Sequence, residues 1–270
     1  MKLSELTKIL FDAGIENARA EARMLFEHFT KKKAAELVIG DPESDSKELI
    51  SALEKRRRRE PLQYILGKAY FYREEYEVTP DCLIPRQDTE ILVDTAVKLI
   101  PDGERFLDIC TGSGCIAIST LCNTKNTSAT AIDISLAAIE VARRNAEKNG
   151  VSKRVNFIQK DALKESVDGD FFAVLSNPPY VTEDAYESLE TEIYYEPKIA
   201  FVGGKDGLDF YRRLTALYRD RIKDGGFIAY EIGYDQKDGI RAIAEENEMT
   251  SEVIYDLGGN PRVAVLRKRG

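Results

Sequence analysis

Hydrophobic positions in the first third of the chain recur at the spacing of short amphipathic helices. We expect four helices, each bounded by residues that commonly start or stop a helix. The first ends before Gly14, the second begins after Asn17, the third ends near Gly40, and the fourth begins at a capping Asp45 and ends before Pro61. The pattern predicts a small helical bundle over residues 1–67.

The pattern changes from helical spacing to short alternation after Gly67. Tyr70, Tyr72 and Tyr76 are separated by charged residues, which is typical of a hairpin of two short strands. Prolines at positions 80 and 85 then interrupt regular structure. We therefore expect a hairpin linker over residues 68–85 and a second domain over residues 86–270.

Strands and helices alternate in that second domain. Five apolar runs are predicted as strands, with helices between several of them: strands at 105–110, 129–133, 155–159, 171–176 and 227–232, and helices at 115–121 and 136–148. Such alternation is typical of an α/β fold with a parallel sheet that helices cover on both faces. The tail instead predicts an antiparallel hairpin at the sheet edge, with strands at 253–255 and 263–266 around the turn at Gly258–Pro261.

Composition excludes several classes of protein. Hydrophobic residues make up 43% of the 270 positions and charged residues 32%, as in ordinary folded proteins rather than disordered ones. No apolar run reaches the roughly 18 residues that span a bilayer, so no membrane association is expected. The four cysteines have no zinc spacing and the chain has one histidine, which favours a cytoplasmic protein without a metal site.

Charge is unevenly distributed along the chain. Up to Glu75 there are 15 basic and 14 acidic residues, whereas the remainder carries 24 basic and 33 acidic residues. Binding to a phosphate backbone depends on Lys and Arg displacing counterions. The acidic main domain therefore argues against stable nucleic-acid binding.

A glycine-rich loop, Asp108–Gly114, follows the first strand of the predicted sheet and opens a helix. Its glycines allow a ligand to approach the backbone, and the helix start offers unpaired N–H groups. Asp133 ends the next strand, where a carboxylate can accept both ribose hydroxyls of an adenosine, and Asp161 follows the third, near an expected adenine edge. The pattern Gly112-x-Gly114-x-x-Ala117 also fits the fingerprint of a loop that binds NAD. The antiparallel closing hairpin favours S-adenosyl-L-methionine over NAD, because a dinucleotide normally needs a second βαβαβ half.

A second motif, Ser176–Tyr180, follows the fourth strand and has the sequence Ser-Asn-Pro-Pro-Tyr. The side-chain oxygen of Asn177 and the carbonyl of Pro178 can each accept one N–H of a planar NH₂ group. Prolines fix the backbone so that the two acceptors converge, and Tyr180 offers a face for stacking. The motif predicts a site that orients an amide or aromatic amine nitrogen for methyl transfer.

With these motifs in place, the sequence resembles the HemK/PrmC family of release factor glutamine methyltransferases from the helical domain to the last strand. The resemblance rests on the following residues: Arg57-Arg58, Glu60-Pro61, Gly67, Ile84–Arg86, Asp88–Glu90, the loop up to Gly114, Asn177–Tyr180, Glu196-Pro197, Gly207, Glu231, Gly258–Asn260 and Arg262. It implies a class I methyltransferase domain, with a mostly parallel seven-stranded Rossmann-like sheet and an antiparallel C-terminal hairpin, after a small helical substrate-docking domain.

The resemblance also implies an activity and a set of site residues. The expected reaction transfers methyl from S-adenosyl-L-methionine to the glutamine side-chain amide nitrogen in the Gly-Gly-Gln motif of peptide chain release factors. A nucleic-acid adenine methyltransferase, acting on a flipped base, is the alternative. Three groups of residues are implied: catalytic Asn177, Pro178 and Tyr180; substrate-binding Asn177, Pro178, Pro179 and Tyr180; and cofactor-binding Cys110, Thr111, Gly112, Ser113, Gly114, Asp133, Asp161 and Asn177.

Three further expectations concern residues in and around these motifs. Cys110 stands where the family usually has a glycine, and we expect a negative φ there, which a cysteine adopts without strain. Asp88 and Glu90 are expected to organise the wall of the pocket. The basic run at Arg56–Arg59 is expected to help dock the protein substrate.

Overall fold

A computed structural model of the protein describes residues 1–32, 36 and 40–269, which form two compact units. The smaller unit comprises Met1–Lys68 together with a second segment, Glu190–Tyr195. The larger unit comprises Ala69–Leu189 and the chain from Glu196 onward. The chain thus leaves the larger unit after Leu189, contributes six residues to the smaller one, and returns; nothing in the hydrophobic pattern predicted this. No helix in the described residues is both long and apolar enough to cross a membrane.

The smaller unit is helical. Its helices are α1 (Leu3–Asp12), α2 (Ala18–Thr30), α3 (Lys47–Arg57) and α4 (Leu62–Leu66). Leucine and phenylalanine side chains that are fully shielded from solvent form its core. The helix expected to end near Gly40 lies mostly outside the described residues.

The start of α3 differs from the prediction. The capping residue is Ser46, whose hydroxyl accepts a hydrogen bond from the backbone N–H of Leu49 at 3.2 Å. The assignment of Asp45 as the cap is therefore wrong by one residue. A serine oxygen satisfies one of the unpaired N–H groups of the first turn as well as an aspartate oxygen would.

The larger unit is built on a two-stranded and a seven-stranded sheet. Strands β1 (Lys68–Phe71) and β2 (Glu74–Glu77) form the predicted hairpin. The large sheet has the order β5-β4-β3-β6-β7-β9-β8. Its strands are β3 (Arg105–Ile109), β4 (Ser128–Asp133), β5 (Val155–Gln159), β6 (Phe171–Ser176), β7 (Ile222–Glu231), β8 (Met249–Tyr255) and β9 (Pro261–Lys268). Strand β9 runs antiparallel to both β7 and β8, and the other pairs are parallel, as predicted.

Helices pack on both faces of this sheet. They are α5 (Glu90–Leu99), α6 (Cys115–Cys122), α7 (Leu136–Lys148), α8 (Glu183–Tyr186), α9 (Asp209–Tyr218) and α10 (Lys237–Glu246). Successive residues of β3 belong to different cores, since Phe106 packs in one buried cluster and Leu107 in the other. Burial on both faces explains why the central strands are continuous apolar runs rather than alternating ones.

The register of the parallel strands brings their carboxyl ends together. Ile109 at the end of β3 pairs with Ile132 on one side and Ser176 on the other, and Asp133 pairs with Gln159. The loops that follow β3, β4, β5 and β6 therefore open on one edge of the sheet, which is where ligands bind in open α/β folds.

Candidate active site

A cavity of about 250 Å³ lies at this edge of the sheet. It is lined by residues at the ends of β3, β4, β5 and β6 and from other segments of the larger unit: Asp81–Leu83, Cys110, Gly112, Ile132–Ser135, Ala138, Lys160–Leu163, Asn177, Pro179, Pro197, Ile199, Ala200 and Phe210. Most of the wall is apolar, and a few carboxylate and amide groups face into it, as in small-molecule sites generally. Six of the residues predicted to bind cofactor or substrate are in this wall.

A buried carboxylate holds the loop between β3 and α6. Asp108 is fully buried, and its Oδ2 accepts hydrogen bonds from the Thr111 hydroxyl at 2.6 Å and from the backbone N–H of Ala117 at 3.2 Å. Burial raises the pKa of Asp108 to about 7. Thr111 and Ser113, predicted to bind cofactor, are themselves buried and lie outside the cavity wall. The Thr111 side chain thus helps to hold the loop, whereas the Ser113 hydroxyl has no hydrogen-bond partner among the described residues.

Asp133 is tied to the same loop across the end of the sheet. Its Oδ2 accepts from the backbone N–H of Gly112 at 2.9 Å, and its Oδ1 accepts from the N–H of Ser135 at 2.9 Å. Burial raises the pKa of this carboxyl group. Each oxygen retains lone-pair capacity toward the cavity, so the group can still accept hydroxyl donors. Asp161, also in the wall, has a lowered pKa because of its bond from Lys164 at 3.0 Å.

The backbone of the loop corrects one prediction. Cys110 has a φ of +60°, in the left-handed region, and the expectation of a negative φ is wrong. Gly112 at +53° and Gly114 at +83° share this region. At Gly114 a Cβ atom would meet Ala142 of helix α7 at 3.0 Å, so glycine is also required there for close packing. The loop thus takes three left-handed residues, and one of them carries a side chain.

The strain at Cys110 leads to a stability prediction. A side chain in the left-handed region costs roughly 1 kcal/mol or more compared with glycine. We expect Cys110→Gly to be about 1 kcal/mol more stable toward unfolding than Cys110→Ala, which also lacks the thiol but keeps the Cβ atom. Urea unfolding of the two variants measures this difference. Equal stability would show that the loop relaxes to a different φ.

The Asn177–Tyr180 segment is held rigidly behind the cavity. A Cβ atom on Gly203 would lie 2.3 Å from the Pro179 carbonyl oxygen, and one on Gly207 would lie 2.2 Å from that of Tyr180. The Tyr180 carbonyl also accepts from the side-chain amide of Gln236 at 3.1 Å. Because these two residues are glycines, their backbone packs directly against the Asn177–Tyr180 segment with no side chain between. This contact fixes the conformation of the segment.

The four residues of this segment do not all reach the cavity. Asn177 and Pro179 line it, whereas Pro178 and Tyr180 do not. The phenol of Tyr180 instead points toward Glu231, at 3.4 Å from its Oε1. Burial raises the pKa of this phenol well above its usual value.

Two residues that received no role from the sequence are linked to Asn177. Its Nδ2 donates to the Thr89 hydroxyl at 3.1 Å, and that hydroxyl donates to Glu231 Oε2 at 2.5 Å. Glu231 is 3% exposed and Thr89 is 1% exposed. A glutamate that directly follows an apolar run, here residues 227–230, is a signal of a buried ionisable group, and it could have identified Glu231.

Asp88 and Glu90, which were expected to organise the wall of the pocket, do not themselves line the cavity. Asp88 forms an ion pair with Arg262 at 3.2 Å. Glu90 accepts from the backbone N–H of Tyr72 at 2.8 Å. Both carboxylates hold neighbouring segments in place, and the residue between them, Thr89, is the one that reaches the site.

Comparison with known proteins agrees with this geometry. Residues 2–67 match the PrmC N-terminal domain, and residues 87–195 match the methyltransferase small domain. A release factor glutamine methyltransferase of Thermodesulfovibrio yellowstonii is 37% identical over 257 residues, which cover 92% of this chain and 92% of that protein. The protein of the same name from Fusobacterium nucleatum is 39% identical over 219 residues, or 79% of this chain; the match spans 62% of that protein.

A solved structure supports the fold alone. A methyltransferase from Pyrococcus furiosus superposes with a TM-score of 0.54 at 24% identity, covering 71% of this chain and 86% of that one. The predicted class I fold, and dependence on S-adenosyl-L-methionine rather than NAD, are confirmed at the level of the family. The match over nearly the whole length of the Thermodesulfovibrio protein shows that the chain belongs to the release factor glutamine methyltransferase family.

Proposed function

We propose that this chain methylates the side-chain amide nitrogen of the glutamine in the Gly-Gly-Gln motif of peptide chain release factors. The observation that carries the proposal is the position of Asn177 in the cavity wall beside Gly112 and Asp133. A carboxamide acceptor and a nucleotide-type loop thereby border one space. The relatives named for glutamine methylation supply the substrate class.

The residues of the cavity fit S-adenosyl-L-methionine. In the proposed arrangement Asp133 accepts the ribose hydroxyls, Asp161 lies toward the adenine, and the backbone of Cys110, Gly112 and Gly114 surrounds the methionine part. Gly112 has open space where a Cβ atom would stand, which suits the close approach of a ligand. Thr111 contributes through its hydrogen bond to Asp108, which holds the loop.

Asn177, in the cavity wall, and the backbone carbonyl of the adjacent Pro178, just outside that wall, then orient the substrate. An amide nitrogen is a weak nucleophile, because its lone pair is delocalised into the carbonyl. Two acceptors, Asn177 Oδ1 and the Pro178 carbonyl oxygen, each take one N–H, hold the nitrogen in line and favour the positive charge that develops on it. Pro179 and Tyr180 would complete the substrate site by keeping both acceptors fixed.

The transfer needs no strong base in this scheme. When bound, S-adenosyl-L-methionine would supply an electrophilic methyl group on a sulfonium sulfur, with a neutral thioether as the leaving group. The nitrogen carries a positive charge after it bonds to the methyl carbon, and its N–H is then acidic enough to lose the proton to solvent. Asn177 and Pro178 act only by position and by their oxygen dipoles.

A macromolecular substrate needs contacts beyond the amide itself. We infer that the helical unit contributes them, with release factors as the partner and the cytoplasm as the site of action. Of the basic run, Arg57 and Arg58 are exposed, and Arg57 forms an ion pair with the neighbouring Glu54 at 2.8 Å. Remote contacts of this kind add binding energy and orientation at the reacting group.

This inference gives a kinetic prediction. Reversing both charges with Arg57→Glu and Arg58→Glu should raise KM for intact release factor about tenfold, and should leave the affinity for cofactor unchanged. A matched reversal of two exposed cations in the larger unit, Lys153→Glu with Arg241→Glu, controls for net charge. A KM equal to that of the wild type would show that the partner does not dock here.

A methyl-transfer assay with tritium-labelled cofactor tests the proposed function. The substrates are a bacterial release factor, the same factor with its Gly-Gly-Gln glutamine replaced by alanine, and duplex DNA, each offered separately. We expect label on the intact release factor alone. Label on DNA, or on the alanine variant as strongly as on the intact factor, would contradict the proposal.

A further inference from the structure

Three hydrogen-bonded side chains join separate elements behind the cavity. Asn177 follows β6, Thr89 immediately precedes α5, and Glu231 ends β7. The amide nitrogen of Asn177 lies 3.1 Å from the Thr89 oxygen, which lies 2.5 Å from the Glu231 carboxylate. Both Thr89 and Glu231 are buried, so water does not compete for these bonds.

While Glu231 is ionised, the chemistry of these groups fixes the direction of every bond. An ionised carboxylate can only accept, so the hydroxyl hydrogen of Thr89 points to Glu231. The Thr89 oxygen then has only lone pairs for Asn177, which must present its NH₂ group. In the opposite orientation two oxygens would face each other without a hydrogen between them, which is costly in a buried site.

The orientation leaves one polar atom of Asn177 for a ligand. Within the described part of the chain, Asn177 Oδ1 accepts no hydrogen bond. Asn177 also lines the cavity. A carboxamide substrate requires an acceptor there rather than a donor, because it presents N–H groups.

We propose that Thr89 and Glu231 are positioning residues that hold the Asn177 side chain with its nitrogen toward Thr89 and its oxygen toward the substrate. The proposal rests on the proposed function, since it assigns the acceptor for the substrate amide. Neither residue contacts substrate in this scheme. Together they set which end of the Asn177 amide does so.

Charged and titratable groups surround Glu231 on several elements. Tyr180 lies at 3.4 Å from its second oxygen, and the Tyr211 phenol donates to its backbone carbonyl at 2.9 Å. Asp88 raises the pKa of Glu231 and Arg262 lowers it, while Glu231 in turn raises the pKa of Cys115. Arg262 is shared between Asp88 and Asp256, so it neutralises Glu231 only in part.

Removal of the Thr89 hydroxyl tests the orientation. We expect Thr89→Val to lower kcat by a factor of about 10 to 100 while the cofactor dissociation constant stays within threefold, because a misdirected acceptor costs about that much. Thr89→Ser keeps the hydroxyl and should restore kcat to within about threefold of the wild type. A Thr89→Val enzyme with wild-type kcat, or a serine variant as slow as the valine one, would overturn the proposal.

The pH dependence of kcat provides a second readout that does not depend on the fold of Thr89→Val. Burial raises the pKa of Glu231 to about 7, helped by Asp88 and opposed by the bonds from Thr89 and Tyr180 and by Arg262. Protonated Glu231 can donate to Thr89 and release the hydroxyl hydrogen, so the orientation is lost. Activity should therefore rise with pH through about 7.

Glu231→Gln isolates this titration from others near the cofactor. The pKa of Asp108 is also raised to about 7, so kcat is measured at saturating cofactor and compared with the variant. We expect the acidic limb of the wild-type profile to be absent in Glu231→Gln. An unchanged limb in the variant would overturn the proposal.

The two proposals fail in different ways. If the wild type does not methylate release factor glutamine, the proposed function is wrong. If the wild type does so and Thr89→Val is equally fast, only the role of Thr89 and Glu231 is wrong.

Discussion

Replacing Asn177 with alanine should lower kcat for release factor methylation by a factor of about 100 to 1,000, the usual effect of losing one preorganised group that stabilises developing charge. Cofactor should still bind, because Asp133 and the Cys110–Gly114 loop do not depend on the Asn177 side chain. The measurement combines single-turnover methyl transfer with a cofactor titration monitored by calorimetry.

An exposed asparagine gives the matched control. Asn156 lies on β5 with its side chain in solvent, so Asn156→Ala should match the wild type in both measurements. Turnover by Asn177→Ala within tenfold of the wild type would place the acceptor elsewhere. Loss of cofactor binding in that variant would instead make Asn177 chiefly a cofactor ligand.

Replacing Arg56 with alanine should destabilise the helical unit by about 3 kcal/mol, because it removes a buried cation from two half-buried carboxylates, Glu21 and Glu192. The guanidinium of Arg56 is 8% exposed; it contacts Glu21 at 2.6 and 3.2 Å and Glu192 at 3.2 Å, and donates to the Glu60 carbonyl. Glu192 belongs to the segment that the chain inserts into this unit, so Arg56 also anchors that segment.

Hydrogen exchange resolves this effect because it reports on each unit separately. Protection of backbone amides in α2 and α3 should fall about 100-fold in Arg56→Ala, and protection in the central strands should not change. The neighbouring Arg57→Ala is the control, since its exposed pair with Glu54 contributes under about 1 kcal/mol. Equal protection in the two variants would show that the buried ion pairs are not needed for stability.

The bounds of strands and helices were predicted best where the residues are uniformly buried or follow a regular helical period. The strand over 171–176 and the helix over 136–148 were predicted to the residue, because continuous apolar runs and a 3.6-residue period leave little choice of structure. The glycine loop and the Asn-Pro-Pro-Tyr motif were placed at the correct strand ends for the same reason. Strand ends in a parallel sheet share one edge, so their loops meet.

Properties set by tertiary contacts could not be read from the sequence. Thr89 and Glu231 are 142 positions apart, and no local pattern links them. The segment Glu190–Tyr195 has no hydrophobic periodicity. Its place in the helical unit depends on contact with Arg56, which is distant in sequence, so no local pattern could predict it. The left-handed Cys110 went unpredicted because local preference disfavours it, and the surrounding loop overrides that preference.

The basic run illustrates how burial divides residues of one type. Arg56 to Arg59 are identical in sequence terms, yet Arg56 is buried in an ion-pair cluster and Arg59 contacts Glu192 at 2.7 Å. Arg57 and Arg58 remain exposed. Helix α3 turns consecutive side chains by about 100° and ends at Arg57, and Arg59 has a φ of +70°, so the four side chains do not share one environment.

A crystal structure with S-adenosylhomocysteine and a glutamine-containing release factor peptide tests the carboxamide site most directly. We expect the glutamine amide nitrogen within hydrogen-bond distance of both Asn177 Oδ1 and the Pro178 carbonyl oxygen, and facing the cofactor sulfur. An amide bound elsewhere, or an Asn177 side chain that turns its nitrogen toward the substrate, would contradict this account.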